Sequence, residues 1–336
     1  MVHLYKILFS SILISSSIIS ISALSWFSAW IGLEMNLLAI IPLMKSPKNN
    51  LSAEASIKYF IIQSMASSIL LFSVILFSYM SLFSHPNKIL GSIMNLALIL
   101  KMGAAPLHFW LPEVISGLDW GLVFTMLTWQ KISPMILLSY CLYSSMLLSV
   151  IIILSSLVSG ILGMNQMCLR KMMAFSSINH MGWMMSALLS SMNLWLYYFL
   201  IYSFTNMNML IMFNKFHLFY MNQLNKFLSF NKHLKFLFVL NLLSLGGLPP
   251  FMGFFPKWIT VNYLITLNYH FLSIILVTLT LLTLFFYMRM SFSSLMLTSL
   301  ESLANSQISK FSMWQFFFNL MNLASLPLCI FLVNFF

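Results

Sequence analysis

Runs of about twenty apolar residues follow one another along this chain with only short polar breaks between them. Coiled as a helix, such a run matches the hydrocarbon thickness of a bilayer, at roughly 20 residues per crossing. A soluble domain carries about a quarter of its residues as charges. Here Asp, Glu, Lys and Arg together make up 6% of 336 residues, hydrophobic residues 61%, and the mean hydropathy is +0.96. That balance argues against a soluble globular enzyme, and disorder, which needs low hydrophobicity, is excluded. Membrane β-strands would be short and alternating. The long unalternating runs instead predict an all-α polytopic membrane protein.

The runs place about eleven transmembrane helices at 4–23, 25–44, 57–81, 89–118, 121–146, 148–168, 172–190, 193–213, 236–266, 270–290 and 312–335. The first reads as a retained helix, since no convincing small-residue cleavage site follows it. Loop charges test the count. With the N-terminus and every second loop assigned to one side, that side receives twelve cations: Lys6, Lys45, Lys48, Lys58, Arg170, Lys171, Lys215, Lys226, Lys232, Lys235, Arg289 and Lys310. The opposite side receives Lys88. By the positive-inside rule the cation-rich side is cytoplasmic or matrix. The net charge of +11 is therefore an orientation signal and not a nucleic-acid footprint. Cys141, Cys168 and Cys329 lie far apart without a CxxC pair, so neither a disulfide framework nor metal or cluster ligation is indicated.

Spans four and nine are each about 30 residues long, roughly 45 Å as straight helices and so longer than the bilayer core. Both carry glycine and proline near the middle. Gly103, Pro106, Pro112 and Glu113 match Gly247, Pro250, Pro256 and Lys257, each pair 144 positions apart. Five helices separate the two spans, so they run in opposite directions through the membrane. Broken helices in corresponding places are the mark of an inverted five-helix repeat. The expected organisation is a first repeat over 1–146, an inverted second repeat over 147–291, and a loop with a C-terminal helix over 292–336. The helix breaks lie around Gly103–Pro106 and Gly246–Pro250, with Gly247 and Pro249 between. Broken backbone at membrane depth persists only where protein or water satisfies it, which points to a polar cavity near the midplane. A simple packing kink is the alternative.

Four charges fall inside spans: Glu34, Lys101, Lys131 and Lys257. Each costs at least about 2.5–3.5 kcal/mol at the bilayer centre unless paired or hydrated. All three cations are lysines. A lysine can gain and lose a proton when desolvation and a carboxylate compete, whereas an arginine cannot. They are the candidate proton-translocating groups. The competing readings are a structural buried pair for Glu34 and Lys101, snorkelling for Lys131, and an interfacial anchor beside Trp258 for Lys257. His108, just after the Pro106 break, is a candidate relay or a packing histidine. Glu113 stands at a candidate channel mouth or in water. His180 sits in a polar cluster expected to pack helices. No phosphate loop, GxGxxG, GxSxG or His/Cys metal spacing occurs, so no redox-catalytic, cofactor-binding or metal residue is assigned.

Five stretches carry a resemblance: Trp30-Ile-Gly-Leu-Glu34-Met-Asn-Leu-Leu38, Leu100-Lys-Met-Gly-Ala-Ala-Pro106-Leu-His-Phe-Trp-Leu-Pro112, Thr128-Trp-Gln-Lys131-Ile-Ser-Pro134, Arg170-Lys-Met-Met-Ala-Phe-Ser-Ser-Ile-Asn-His180 and Leu243-Ser-Leu-Gly-Gly-Leu-Pro-Pro250-Phe-Met-Gly-Phe-Phe-Pro-Lys257-Trp258. Together they resemble the antiporter-like proton-pumping subunits of respiratory complex I, and among these the mitochondrial NADH dehydrogenase subunit 2 family of insect-like animals. The resemblance covers nearly the whole chain. It implies a core membrane-arm subunit of NADH:ubiquinone oxidoreductase, a translocase, that moves protons along a hydrated Glu/Lys axis. In it Glu34 and Lys101 form the ion pair of the first half-channel, Lys131 connects, and Lys257 belongs to the second broken helix. It also implies that the complex uses NADH, flavin, iron–sulfur clusters and ubiquinone in other subunits, with no cofactor in this chain. Its partners would be the other membrane-arm subunits and phospholipids, with no nucleic acid. The location would be the mitochondrial inner membrane, N-terminus in the matrix and C-terminus on the intermembrane side. A stand-alone cation/proton antiporter and a structural membrane scaffold are the rival readings.

Overall fold

The computed structural model describes residues 4–46, 49–81, 88–142, 144–223 and 232–296 of the chain. Among the described residues there are thirteen helices and no β-strand. They are α1 (Leu4–Ile21), α2 (Trp26–Met44), α3 (Asn50–Ser81), α4 (Lys88–Met102), α5 (Trp110–Gly117), α6 (Trp120–Leu127), α7 (Trp129–Tyr140), α8 (Ser145–Met164), α9 (Leu169–Ser190), α10 (Met192–Lys215), α11 (Lys232–Gly246), α12 (Phe254–Thr266) and α13 (His270–Met296). Helices occupy ten of the predicted spans. The eleventh, 312–335, and all but the first residues of the 292–336 segment lie outside the described residues, so a count of eleven is not established. Seven helical stretches among the described residues are long and apolar enough to cross a membrane. The chain divides into two compact units, Met1–Ser155 and Ser156–Phe336, with the boundary inside α8.

In the first unit, α1 and α2 pack through small residues. Ser16, Ser17 and Ser20 are buried, and their hydroxyls donate to the carbonyls of Leu13, Ile14 and Ser17 at 2.7–3.0 Å. Turned back on their own helix, they leave no free polar group at the contact. Gly32 meets Ser20 so closely that a Cβ there would stand 2.8 Å from the Ser20 backbone. Close approach over small residues is how membrane helices gain contact without a hydrophobic drive between them. In the second unit, α9 is buried all round, with eighteen of its 22 residues in the interior. It therefore carries Ser176, Ser177, Asn179 and His180 without facing lipid.

Both long spans are broken where the glycines and prolines predict. α4 ends before Gly103, with φ +75°, and α11 ends before Gly247, with φ +76°. The bonds correspond one for one. Gly103 N–H donates to Ile99 and Leu100 O at 3.0 and 3.2 Å, and Ala104 N–H to Ile99 O at 3.3 Å. Gly247 N–H donates to Leu243 and Ser244 O at 3.1 and 3.0 Å, and Leu248 N–H to Leu243 O at 3.3 Å. This is the Schellman ending, which needs a left-handed residue just past the helix and satisfies carbonyls that would otherwise be orphaned. The 144-residue offset read from side chains thus holds for the backbone bonds as well.

Span five differs from the prediction. It is not one helix over 121–146 but two, α6 and α7, separated at Thr128 (φ −117°, ψ −71°), and α7 ends at Tyr140. The Thr128 hydroxyl donates to Phe124 O at 2.7 Å, and Lys131 N–H donates to Thr128 O at 3.1 Å. Pro134, one turn later, has no N–H to return to Gln130, which favours a break on its N-terminal side.

Adjacent glycines at the second break should respond oppositely to alanine. Gly247→Ala places a side chain in the left-handed region, about 1–2 kcal/mol, and its Cβ would stand 2.8 Å from Lys257 Nζ. Gly246→Ala meets nothing nearer than 3.6 Å and gains helix propensity, up to about 1 kcal/mol. The thermal inactivation midpoint of the purified assembly should fall for Gly247→Ala and hold or rise for Gly246→Ala.

Candidate functional site

In the first unit the polar residues of four helices meet at one height. Gln63 on α3 donates through Nε2 to the Lys101 carbonyl at 3.2 Å, which sets the register of α3 against the last turn of α4. Trp30 on α2 donates to Ser67 O at 3.1 Å, which brings Glu34, one turn further along α2, to the height of Gln63. Gln130, in the first turn of α7, donates to Asn36 Oδ1 at 2.7 Å and accepts from the Tyr59 hydroxyl at 3.5 Å. The break before α7 aims this turn inward: Lys131 is 1% exposed and Ser133 is buried beside it.

These groups enclose a small cavity. Asn36, Tyr59, Gln63, Lys101, Gln130 and Ser133 supply its polar lining, with Leu33, Leu37 and Pro134 between them. It offers about 20 Å³ to the centre of a water molecule, above the roughly 10–15 Å³ one water needs. Asn36 Nδ2 and Ser133 Oγ are buried there without a hydrogen-bond partner in the protein. With the Lys101 ammonium they give a water three polar neighbours, within the usual range.

Glu34 is half-buried, with one carboxylate oxygen buried and making no hydrogen bond. It acts on Lys101 electrostatically, yet the two are not joined as a salt bridge. In place of the direct ion pair implied for them, the two interact at longer range, and the amides of Asn36, Gln63 and Gln130 line the cavity beside Lys101. Glu113 goes elsewhere. It is exposed and 3.0 Å from Lys58, which also binds Glu54 at 2.8 Å. That cluster ties α5 to α3 at the protein surface, where such pairs contribute little. His108 is 3% exposed, with Nδ1 3.2 Å from the Pro106 carbonyl. Donation to that carbonyl would fix the Nδ1–H tautomer. The first break is covered by Trp110, whose indole N–H donates to Leu100 O at 3.2 Å.

In the second unit Lys257 is 7% exposed, while its neighbour Trp258 is 42% exposed. The tryptophan faces outward and the lysine inward, which argues against Lys257 as an interfacial anchor. Its ammonium reaches back across the break and donates to Gly246 O at 2.8 Å, 5.8 Å from the Trp183 ring centre. Nearby, His180 Nδ1 lies 3.0 Å from the Tyr198 hydroxyl, and its ring packs 4.9 Å from that of Tyr202. Asn179 donates to Thr283 at 3.3 Å, tying α9 to α13.

Sequence reasoning missed Tyr59, Gln63, Trp110, Gln130 and Trp183. One signal was available: Tyr59 and Gln63 stand four apart in an otherwise apolar helix, hence on one face. Nothing in the sequence indicates that Trp110 and Lys257 turn back over the breaks that precede them.

Residues 23–283 match the family model described as NADH:quinone oxidoreductase/Mrp antiporter, transmembrane. The chain is 46% identical over 329 residues to NADH-ubiquinone oxidoreductase chain 2 of Anopheles gambiae, covering 95% of both chains. It is 44% identical to the chain 2 of Locusta migratoria, covering 88% of this chain and 87% of that one. Among solved structures it resembles a chain of respiratory complex I from Thermus thermophilus, with a TM-score of 0.84 at 19% identity over 96% of this chain and 78% of that one. It also resembles a chain of the Mrp complex from Dietzia, with a TM-score of 0.70 at 15% identity over 84% and 59%. The structural likenesses establish the fold, and the identity along almost the full length establishes more: this chain belongs to the NADH-ubiquinone oxidoreductase chain 2 family, within the antiporter-like membrane subunits.

Proposed function

We propose that this chain is a membrane-arm subunit of NADH:ubiquinone oxidoreductase and translocates protons across the mitochondrial inner membrane. Electron transfer from NADH to ubiquinone, on flavin, clusters and quinone held by other subunits, supplies the energy. The loop charges support a matrix N-terminus. The chain 2 relatives support membership of the complex, with the other membrane-arm subunits as its partners. The corresponding breaks support organisation as repeats over 1–146 and 147–291, the second inverted.

One observation carries the functional reading. Lys101 lies on the wall of a water-sized polar cavity, at the C-terminal end of a broken helix, with Glu34 acting on it from a distance. A buried ammonium on the wall of a cavity that neutral amides also line, and balanced by a carboxylate not bonded to it, can exchange its proton with a cavity water. A carboxylate locked onto it would hold the proton in place. Lys131 and Lys257 would serve as the further proton carriers, each within its own unit.

Lys101→Met in the assembled complex should lower proton translocation by an order of magnitude or more, in line with the loss of a positioned proton-transfer group. Lys58→Met, in the exposed cluster, should leave it within about twofold. Internal acidification of reconstituted vesicles, measured without protonophore and divided by the uncoupled NADH oxidation rate measured separately with one, separates the two effects. Unchanged pumping by the Lys101 variant would leave the chain a scaffold.

A further inference from the structure

No Asp or Glu occurs between Asp119 and Glu301. The described part of the second unit therefore contains lysines and arginines but no carboxylate. A buried ammonium still needs compensation, since leaving it alone costs several kcal/mol. Lys257 finds it in backbone. Gly246 is the last residue of α11, and its carbonyl has lost the intrahelical partner that a continuing helix would supply. The C-terminus of a helix also carries about half a negative charge. The Lys257 ammonium sits 2.8 Å from that carbonyl, with the electron-rich face of Trp183 beyond it at 5.8 Å. Its path is opened by Gly247, where any Cβ would collide with the lysine side chain.

The first break ends in the same backbone bonds but is covered differently. There the donor is the Trp110 indole, to Leu100 O at 3.2 Å, and the ring lies over Gly103 where Lys257 lies over Gly247. An indole N–H does not titrate in water, and an ammonium does.

We propose that the second helix break is the counter-ion of Lys257, so that the proton on this lysine holds the break closed and its departure loosens it. Trp110 holds the first break whatever the proton occupancy. The step is a proton transfer: one Lys257 N–H bond is broken, the proton passes to water, and the amine keeps the electron pair. The neutral amine can still donate, but without charge assistance its hydrogen bond is about half as strong, and its attraction to the helix end is lost. Proton occupancy would thereby be written into backbone shape at membrane depth. This rests on the proposed proton-translocating role of the chain.

Other titratable groups on the elements around α12 must be separated from Lys257. At buried level these are His180 on α9, Tyr198 and Tyr202 on α10, and Tyr287 on α13. Toward the helix ends are Arg170 and Lys171 on α9, Tyr197 and Lys215 on α10, and His270 and Arg289 on α13. Lys232, His233 and Lys235 belong to the first turn of α11, and Tyr263 to α12 itself.

Amide hydrogen exchange over residues 244–254 of the intact complex, corrected for intrinsic pH dependence, tests this. Wild-type exchange should rise as pH increases. Lys257→Met should exchange roughly tenfold faster or more at low pH, the scale of losing a charge-assisted bond, and lose the pH dependence. Lys257→Arg, which keeps donor and charge, should stay protected throughout. Lys257→Gln, a neutral donor, should fall between and serves if the methionine variant fails to assemble. The segment around 100–110 should be insensitive to pH in wild type and loosened at every pH by Trp110→Phe. A methionine or glutamine variant as protected as wild type, or an arginine variant with the wild-type pH response, would overturn the proposal. Loss of pumping in Lys257→Met with an unchanged break would keep the proton role and remove the counter-ion role. A loosened break with normal pumping would do the reverse.

Discussion

A helix that stops inside a membrane leaves carbonyls that lipid cannot satisfy, and the functional geometry of both units follows from how those carbonyls are met. The Schellman bonds at Gly103 and Gly247 satisfy part of the set and turn the chain out of the helix. What remains is a negative helix end facing the interior, a place where a cation is stabilised. Lys101 lies in the last turn of α4, and Lys257 returns to the last residue of α11. Neither break is a defect added to a lysine site. The break creates the electrostatic need; at the second break the Lys257 ammonium answers it directly, and at the first the Trp110 indole takes a carbonyl while Lys101 lies in the same turn.

The two units then diverge in how the charge is balanced. Around Lys101 the helix end is joined by Glu34 and by amides that accept or donate without titrating. An environment of that kind suits the proposed proton role, because amides can reorient around either protonation state. Around Lys257 no carboxylate is available in the surrounding sequence, and the helix end and the Trp183 ring carry the compensation. The same backbone device therefore supports two electrostatic designs, one polarised by a side chain and one by the backbone itself.

Apolar runs and the Gly–Pro pattern made the helices and both long-span breaks legible, because bilayer thickness and proline sterics act locally. The inward lysines were legible for a similar reason: a charge in an apolar run is conspicuous. Three features were not. Thr128 divides span five by a local hydrogen bond that has no distinctive composition. The amide and hydroxyl network of Tyr59, Gln63 and Gln130 depends on the register between helices, which no single segment encodes. The matched charges Glu113 and Lys257 share a sequence offset but not a fate, since one reaches a surface cluster and the other an internal carbonyl. Side-chain direction after a break is set by packing against the helix before it, and the motif alone does not contain that.

The placement of the two cation types follows from the same physics. Arg170 stacks over Phe219 at 4.8 Å, and Arg289 donates to Met164 O at 2.9 Å. Both secure connections near helix ends, where a permanent charge with several fixed donors is an advantage. At the breaks a permanent charge would stabilise the helix end equally well, and a guanidinium would fit a carbonyl as readily as an ammonium. What it could not do is leave the site neutral. Lysine and not arginine therefore meets the backbone need at the second break, which leaves that site able to become neutral, as the proposed proton role requires.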